Sequence, residues 1–167
     1  MTPTIETERL TLYPYRWATQ EHVDWLNDPE VVKFSEQRHR THSIKTQTEY
    51  MAVIPDGSYI WLIRPRGGED IGTITAYVDE PNKLANMGIL IGNKAAWGHG
   101  YGSEAWGDVM SWLFHCGIRK VEAGCMRSNI GMAKLAIRCG MDLEGARVAH
   151  FLVGEQHDDM LMWARFR

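Results

Sequence analysis

The sequence predicts a mixed α/β domain in which about four helices flank one mostly antiparallel sheet of seven strands. Three observations predict it. Short β-rich runs bounded by turn residues fill the first half of the chain and its end. Helical periodicity dominates the stretch between them. No repeat, low-complexity tract or Pro/Gly/Ser linker interrupts the 167 residues, so residues 1–167 are expected to form a single domain.

The elements follow in order. Residues 9–14 read as a strand, with Leu10, Leu12 and Pro14 on one face and Thr11 and Tyr13 on the other. Thr19 can N-cap a short helix carrying Val23 and Leu26, which Asn27, Asp28 and Pro29 end. A polar stretch, residues 35–42, precedes a second helix expected over residues 43–51. Residues 59–64 and 71–78 are β-rich and flank Pro65-Arg66-Gly67-Gly68-Glu69-Asp70, which predicts an antiparallel hairpin. Residues 87–92 form a short apolar strand.

From Ser103 the period becomes helical. Ala105, Trp106, Val109, Met110, Trp112 and Leu113 share one side, Glu104, Asp108, Ser111 and His115 the other, and Gly117 supplies the stop. Residues 121–126 are a strand. Asn129 then opens a helix with Met132, Leu135, Ala136 and Cys139 on its apolar face, stopped by Gly140. Residues 147–153 and 160–166 form a closing hairpin around Gly154-Glu155-Gln156-His157.

Composition narrows the function. The chain is 44% hydrophobic and 23% charged with a net charge of -3, which gives a core and excludes intrinsic disorder. A domain of this size buries roughly 70% of its unfolded surface without staples. The slightly acidic balance argues against a dedicated nucleic-acid binder. Cys116, Cys125 and Cys139 lack CxxC or Cys/His ligand spacing, so neither a disulfide scaffold nor a zinc module is expected. Residues 1–9 carry no apolar signal core and no run approaches ~18 apolar residues, so a cytoplasmic protein without membrane association is expected.

The chemistry concentrates at Met87-Gly88-Ile89-Leu90-Ile91-Gly92 followed by Trp97-Gly98-His99-Gly100-Tyr101-Gly102-Ser103. A strand enters a turn with three alternating glycines, and the turn enters a helix. Glycine admits positive φ and close approach to the backbone, and the helix N-terminus offers unpaired amides and the positive end of its dipole. Together they make a pyrophosphate cradle. A bare strand-to-helix turn is the structural alternative. A Walker loop is excluded because no Gly-Lys-Ser/Thr triplet exists, and the G-x-G-x-G spacing past mid-chain departs from a dinucleotide fingerprint.

These residues resemble the acetyl-CoA loop of the GNAT superfamily of N-acetyltransferases, in its ribosomal-protein serine/alanine acetyltransferase branch. Residues 97–102 match the loop pattern Arg/Gln-x-x-Gly-x-Gly/Ala except at Trp97. Thr7-Glu8-Arg9-Leu10-Thr11-Leu12, Trp25-Leu26-Asn27-Asp28-Pro29-Glu30-Val31, the asparagine-headed helix from Asn129 to Gly140 and residues 159–163 resemble further branch features in the same order. Three departures stand out: Ala136 where many relatives place a tyrosine general acid, Met132 where this branch often has serine, and Met141 for phenylalanine.

The resemblance implies a GNAT-like sheet and acetyl transfer from acetyl-CoA to a primary amine by direct attack in a ternary complex. It implies that Ile89, Leu90 and Ile91 meet the pantetheine arm, with the Leu90 N–H facing the oxyanion. Trp97, Gly98, His99, Gly100, Tyr101, Gly102 and Ser103 would surround the pyrophosphate, and no metal is expected. Asn129 reads as a helix N-cap that also reaches the arm, and Lys134 as either a 3′-phosphate contact or a solvated lysine. An ammonium titrates near ~10, so a base or water relay must take its proton. Glu36 and His39 are the candidates, with His42 in the same segment. Asn86 stands where many relatives have glutamate, which leaves room for a bound water. His150, His157, Asp158 and Asp159 are alternative pocket-shaping residues.

The acceptor stays open among a protein N-terminus, a polyamine, an antibiotic and a nucleotide-linked amino sugar. A non-catalytic acyl-CoA-binding or regulatory module is the alternative, motivated by the missing acids. Seven tryptophans fit either a homodimer surface or an aromatic acceptor pocket, and the sequence does not separate the two.

Overall fold

The computed structural model of the chain describes residues 2–167. Four helices and eight strands form one mixed sheet with helices packed on it. The strands are β1 (Ile5–Glu6), β2 (Leu10–Pro14), β3 (Tyr59–Pro65), β4 (Gly72–Asp79), β5 (Leu84–Ile91), β6 (Lys120–Met126), β7 (Asp142–Val153) and β8 (Gln156–Phe166). The helices are α1 (Gln20–Asn27), α2 (Ile44–Ala52), α3 (Tyr101–His115) and α4 (Ile130–Arg138). The sheet order is β1-β2-β3-β4-β5-β6-β8-β7. Neighbours run antiparallel except β5 and β6, which α3 connects as a parallel crossover.

The expected class is the observed one, with eight strands in place of seven. The additional strand, β1, has only two residues, too few to leave an alternation pattern. β5 begins at Leu84 rather than Met87, because Asn86 is a solvent-facing position inside the strand. β7 begins at Asp142 rather than Arg147; its first residues are largely exposed on an edge strand and show no apolar periodicity.

Local sequence signals account for the helix ends. The Thr19 side chain accepts from the His22 N–H at the start of α1, and Ser43 and Thr46 form a reciprocal capping box at α2. Asn129 accepts from the Met132 N–H to open α4. In α3 the positions Ala105, Trp106, Val109, Met110 and Leu113 recur on one face and are buried against the sheet. They meet Leu10, Leu12, Trp61, Ile63 and Ile74 from the sheet in one core. Each fully buried leucine there contributes roughly 1.5–3 kcal/mol of transfer free energy. Trp112 stands edge-on to Tyr59 and Trp61, with ring centroids 4.9 and 5.6 Å away. Among the described residues, no helix is long and apolar enough to cross a membrane.

Candidate functional site

The parallel pair β5–β6 is short. Leu84, Ala85 and Asn86 pair with Lys120, Val121 and Glu122, and the pairing goes no further. Yet β5 continues to Ile91 and β6 to Met126. The strands therefore fork, and one edge of β5 from Met87 to Ile91 is without a β partner. The other edge is paired with β4 along its whole length, from Leu84 opposite Asp79 to Ile91 opposite Gly72. A strand held on one side and bare on the other is an edge that an extended amide-bearing chain can join.

Beyond β5 the chain enters the glycine turn. Gly98 and Gly100 have φ of +80° and +81°, the left-handed region that side chains with a Cβ rarely adopt. Gly100 is the N-cap of α3, and no side chain caps this helix. The first-turn amides of Tyr101, Gly102 and Ser103 thus keep the unpaired donors that any helix N-terminus carries. A Cβ at Gly98 would meet nothing within 4 Å, so the backbone there is open to approach. The residues fit a pyrophosphate group, which such amides and the helix dipole attract.

Two struts fix the turn. Glu104 accepts hydrogen bonds from the Arg9 N–H, the Arg9 guanidinium and the Thr7 hydroxyl, at 2.7, 2.7 and 2.5 Å. Burial alone would raise its pKa, but these bonds outweigh burial and hold the carboxyl below the usual range. The same guanidinium donates to the His99 carbonyl at 3.0 Å and lies over the Tyr101 ring. On the opposite side the Trp97 indole N–H donates to the Ile91 carbonyl at 2.8 Å. Trp97 thus ties the turn to the end of β5, so its one donor is already engaged.

A cavity of about 480 Å³ opens beside β5 and is lined by Gly88, Ile89 and Leu90 on that side. Residues 25–30, at the end of α1 and just beyond it, brace the segments around it. Trp25 packs on Gly92, where an added Cβ would fall 2.1 Å from the ring. The Asn27 side chain accepts from the His42 N–H at 2.8 Å and donates to the His42 carbonyl at 2.9 Å. Asp28 and Glu30 both hold Lys94, each at 2.9 Å. His42 is thereby fixed at the cavity wall, 7% exposed, with Nδ1 2.9 Å from the Gln47 amide nitrogen. Its Nε2 is buried without a partner. Tyr50 and Tyr77 hydroxyls touch across the same cavity.

The segment holding Glu36 and His39 forms a 3-10 turn, Glu36–His39, capped by Ser35. Glu36 pairs with Arg38 at 2.7 Å and lies 3.9 Å from His39 Nε2, and both candidates are exposed. Their neighbours Ser35, Gln37, Arg40, Thr41 and His42 line the cavity, while Glu36 and His39 do not. Asn86 lies at the last paired position before the fork. Asp158 is engaged by Ser128, and Asp159 by Arg127 and the Ala149 N–H, so both secure the closing hairpin. His150 and His157 are exposed on that hairpin. Asn129 is half-buried with its oxygen committed to the cap, and Lys134 is exposed on α4. Ala136 is fully buried in the core. Sequence reasoning did not single out Tyr15, His22, Gln47 or Tyr77, which four different elements bring to the cavity.

His22 is 6% exposed, and its Nδ1 lies 2.6 Å from the Tyr15 hydroxyl. Burial, followed by the nearby His42, depresses its pKa from 6.5 to about 4. Burial pushes Tyr15 up to about 12. Between pH 6.5 and about 4 the unfolded chain binds the His22 proton and the folded chain does not. Stability is therefore full above that window and falls as the pH drops through it, by roughly 3 kcal/mol. Urea unfolding of the parent and of His22→Gln from pH 7 to 4.5 checks this. The parent is expected to lose more stability than the variant, and parallel curves would contradict the assignment.

Comparison with known proteins agrees with this geometry. A family model described as an acetyltransferase (GNAT) domain matches residues 9–142. No curated protein matches the sequence. The fold is similar to that of RimL, a ribosomal L7/L12 alpha-N-protein acetyltransferase solved with coenzyme A, at 20% identity over 98% of each chain and a TM-score of 0.83. It is similar to spermidine N-acetyltransferase from Vibrio cholerae solved with CoA and spermine, at 16% identity over 95% of each chain and a TM-score of 0.81. It is also similar to the microcin C7 self-immunity acetyltransferase MccE solved with acetyl-CoA and AMP, at 18% identity over 96% of this chain and 93% of that one, with a TM-score of 0.81. With four-fifths of its length matched by the family model, the chain belongs to the GNAT acetyltransferase family.

Proposed function

We propose that this GNAT-family acetyltransferase holds acetyl-CoA in the fork between β5 and β6 and transfers the acetyl group directly to a primary amine in the adjoining cavity. The observation that carries the reading is the fork itself, whose bare strand edge is followed, through the glycine turn, by an uncapped helix N-terminus. Acetyl-CoA supplies the acetyl group as a thioester with a thiolate leaving group. The chain binds, orients and moves protons.

Ile89, Leu90 and Ile91 are assigned to the pantetheine arm; in the antiparallel register the Leu90 amide faces Thr73 of β4, so the N–H groups of Ile89 and Ile91 are the ones turned to the bare edge and to the thioester oxygen. A donor of that kind is worth roughly 3 kcal/mol when removed from comparable sites. Gly98, His99, Gly100, Tyr101, Gly102 and Ser103 are assigned to the pyrophosphate, with Trp97 holding the turn in place. Asn129 keeps a free amide nitrogen for the arm, and Lys134 is placed at the 3′-phosphate. Glu36 and His39, exposed and 3.9 Å apart, are assigned to carrying the amine proton away through water. Ala136 provides no side-chain acid, so solvent protonates the leaving thiolate.

Residues 1–167 act as one domain, in the cytoplasm, without nucleic acid and without a metal. A homodimer through β7 is supported by its long edge, on which Leu143, Val148, Leu152 and Val153 are exposed. Sedimentation of the purified chain as a monomer would remove that assignment. A non-catalytic acyl-CoA-binding or regulatory module is the second reading, favoured only by the missing acids at Ala136 and Met132.

Three outcomes test these assignments. Gly100→Val, folded by circular dichroism, is expected to bind CoA at least about tenfold more weakly, a loss of about 1.4 kcal/mol. Unchanged affinity in that variant would remove the pyrophosphate assignment. Thiol release from acetyl-CoA with a panel of amines separates enzyme from binding module, and it is expected to survive exhaustive EDTA dialysis. Glu36→Gln and His39→Gln are each expected to lower the acidic side of the rate–pH profile, and full activity in both would leave this turn only a pocket-lining role.

A further inference from the structure

We propose that the acceptor is an amine bearing an anionic group, a carboxylate or a phosphate, with Arg40 binding the anion and His42 meeting the amine. The proposal rests on the acetyl-transfer reading and names the substrate class of the same site.

The charge of the cavity carries the argument. Its wall is rich in hydroxyl and amide groups from Ser35, Gln37, Thr73, Thr75 and Tyr77. It contains no aspartate or glutamate, and its one residue with a permanent charge is Arg40. The closest acidic side chain in sequence, Glu36, is turned to Arg38 and His39. No carboxylate among the described residues forms an ion pair with Arg40, whose backbone is extended and whose side chain is exposed at the cavity edge. A free guanidinium with a planar fork of donors suits a carboxylate or phosphate.

An acceptor with several ammonium groups meets the opposite situation. Its second cation would find no carboxylate in the wall and would face Arg40, a like charge. Buried charges are tolerated when paired, and like charges across a binding surface are rejected. The wall thus selects against polycationic amines.

His42 supplies the second, independent feature. It is two residues from Arg40 on the same wall, its backbone is clamped on both sides by Asn27, and its ring is held by Gln47. Only Nε2 is left over, buried and unpartnered. A buried polar atom left without a partner costs stability, so a ligand that pairs with it gains on binding. The Gln47 amide can turn either its oxygen or its nitrogen to Nδ1, so Nε2 can accept from or donate to the amine. The other titratable groups lining the cavity are His22, Tyr15, Tyr50, Tyr77 and Arg40. His22 and the three phenols bring no carboxylate to compete for the amine.

The experiment is calorimetry on the CoA-loaded protein with matched probes. Glycylglycine is compared with glycylglycinamide, glucosamine 6-phosphate with glucosamine, and spermidine serves as the polycation. In at least one pair the anionic member is expected to bind about tenfold or more tightly than its uncharged partner, as a charge-assisted Arg contact provides. Arg40→Ala is expected to erase that ratio, and His42→Asn to weaken both members of the pair alike. The pair that shows the ratio tells a carboxylate source from a phosphate source. Tighter binding of spermidine, no binding of either anionic probe, or a ratio that survives Arg40→Ala would overturn the proposal. Thiol release is read separately. Arg40-dependent binding without thiol release would retire the enzymatic reading while leaving the ligand class standing, and turnover that favours spermidine would do the reverse.

Discussion

A single break in hydrogen bonding organises this molecule. β5 and β6 share three paired positions and then part, while β5 stays bound to β4 over all eight of its residues. Backbone amides and carbonyls in a sheet interior are normally paired on both sides. Here one side is surrendered along five residues, and everything near the site is arranged around that opening. Residues 92–100 carry the chain from the end of β5 to the start of α3, so the exposed strand edge and the exposed helix amides follow one another along the chain. The cavity opens beside the same strand.

Holding such an opening in shape requires rigid flanks, and distant parts of the chain provide them. Thr7 and Arg9, at the first strands, reach Glu104 and the His99 carbonyl. The segment from Trp25 to Glu30 reaches three places at once: Gly92 through packing, His42 through a two-way amide clamp, and Lys94 through paired carboxylates. The exposed ion pairs among these contribute little energy each, so their value is geometric. The part-buried amide clamp is worth more, about 1 kcal/mol per bond, because leaving its partners unpaired costs more than the bond gains.

Much of the fold was legible because its signals are local. Thr19, Ser43 and Asn129 cap the helices that their positions announce, and Gly117 and Gly140 follow helix ends with positive φ. The glycine turn was legible for the same reason, since Gly98 and Gly100 need no partner elsewhere to declare their conformation. α3 starts two residues earlier than its periodicity, because Gly100 caps through backbone geometry and not through a side chain. The acceptor wall was not legible. Tyr15, His22, Gln47 and Tyr77 come from the connection after β2, from α1, from α2 and from β4, and no spacing in the sequence links them. Ala136 likewise reads as a missing acid in the sequence, whereas in the fold it is a small core residue on the buried face of α4.

The parallel register bears on stability as well. Leu84 pairs with Lys120, and all of α3 lies between them. Such a contact requires the intervening chain to be ordered and folded back. The hairpins β3–β4 and β4–β5 are local by comparison, but the opening between β5 and β6 has no meaning until the crossover is docked. The donor site is consequently absent from any state in which the crossover is undocked. A ligand that requires it binds only the finished state, and at a hundredfold excess over its dissociation constant it adds about 2.7 kcal/mol to global stability.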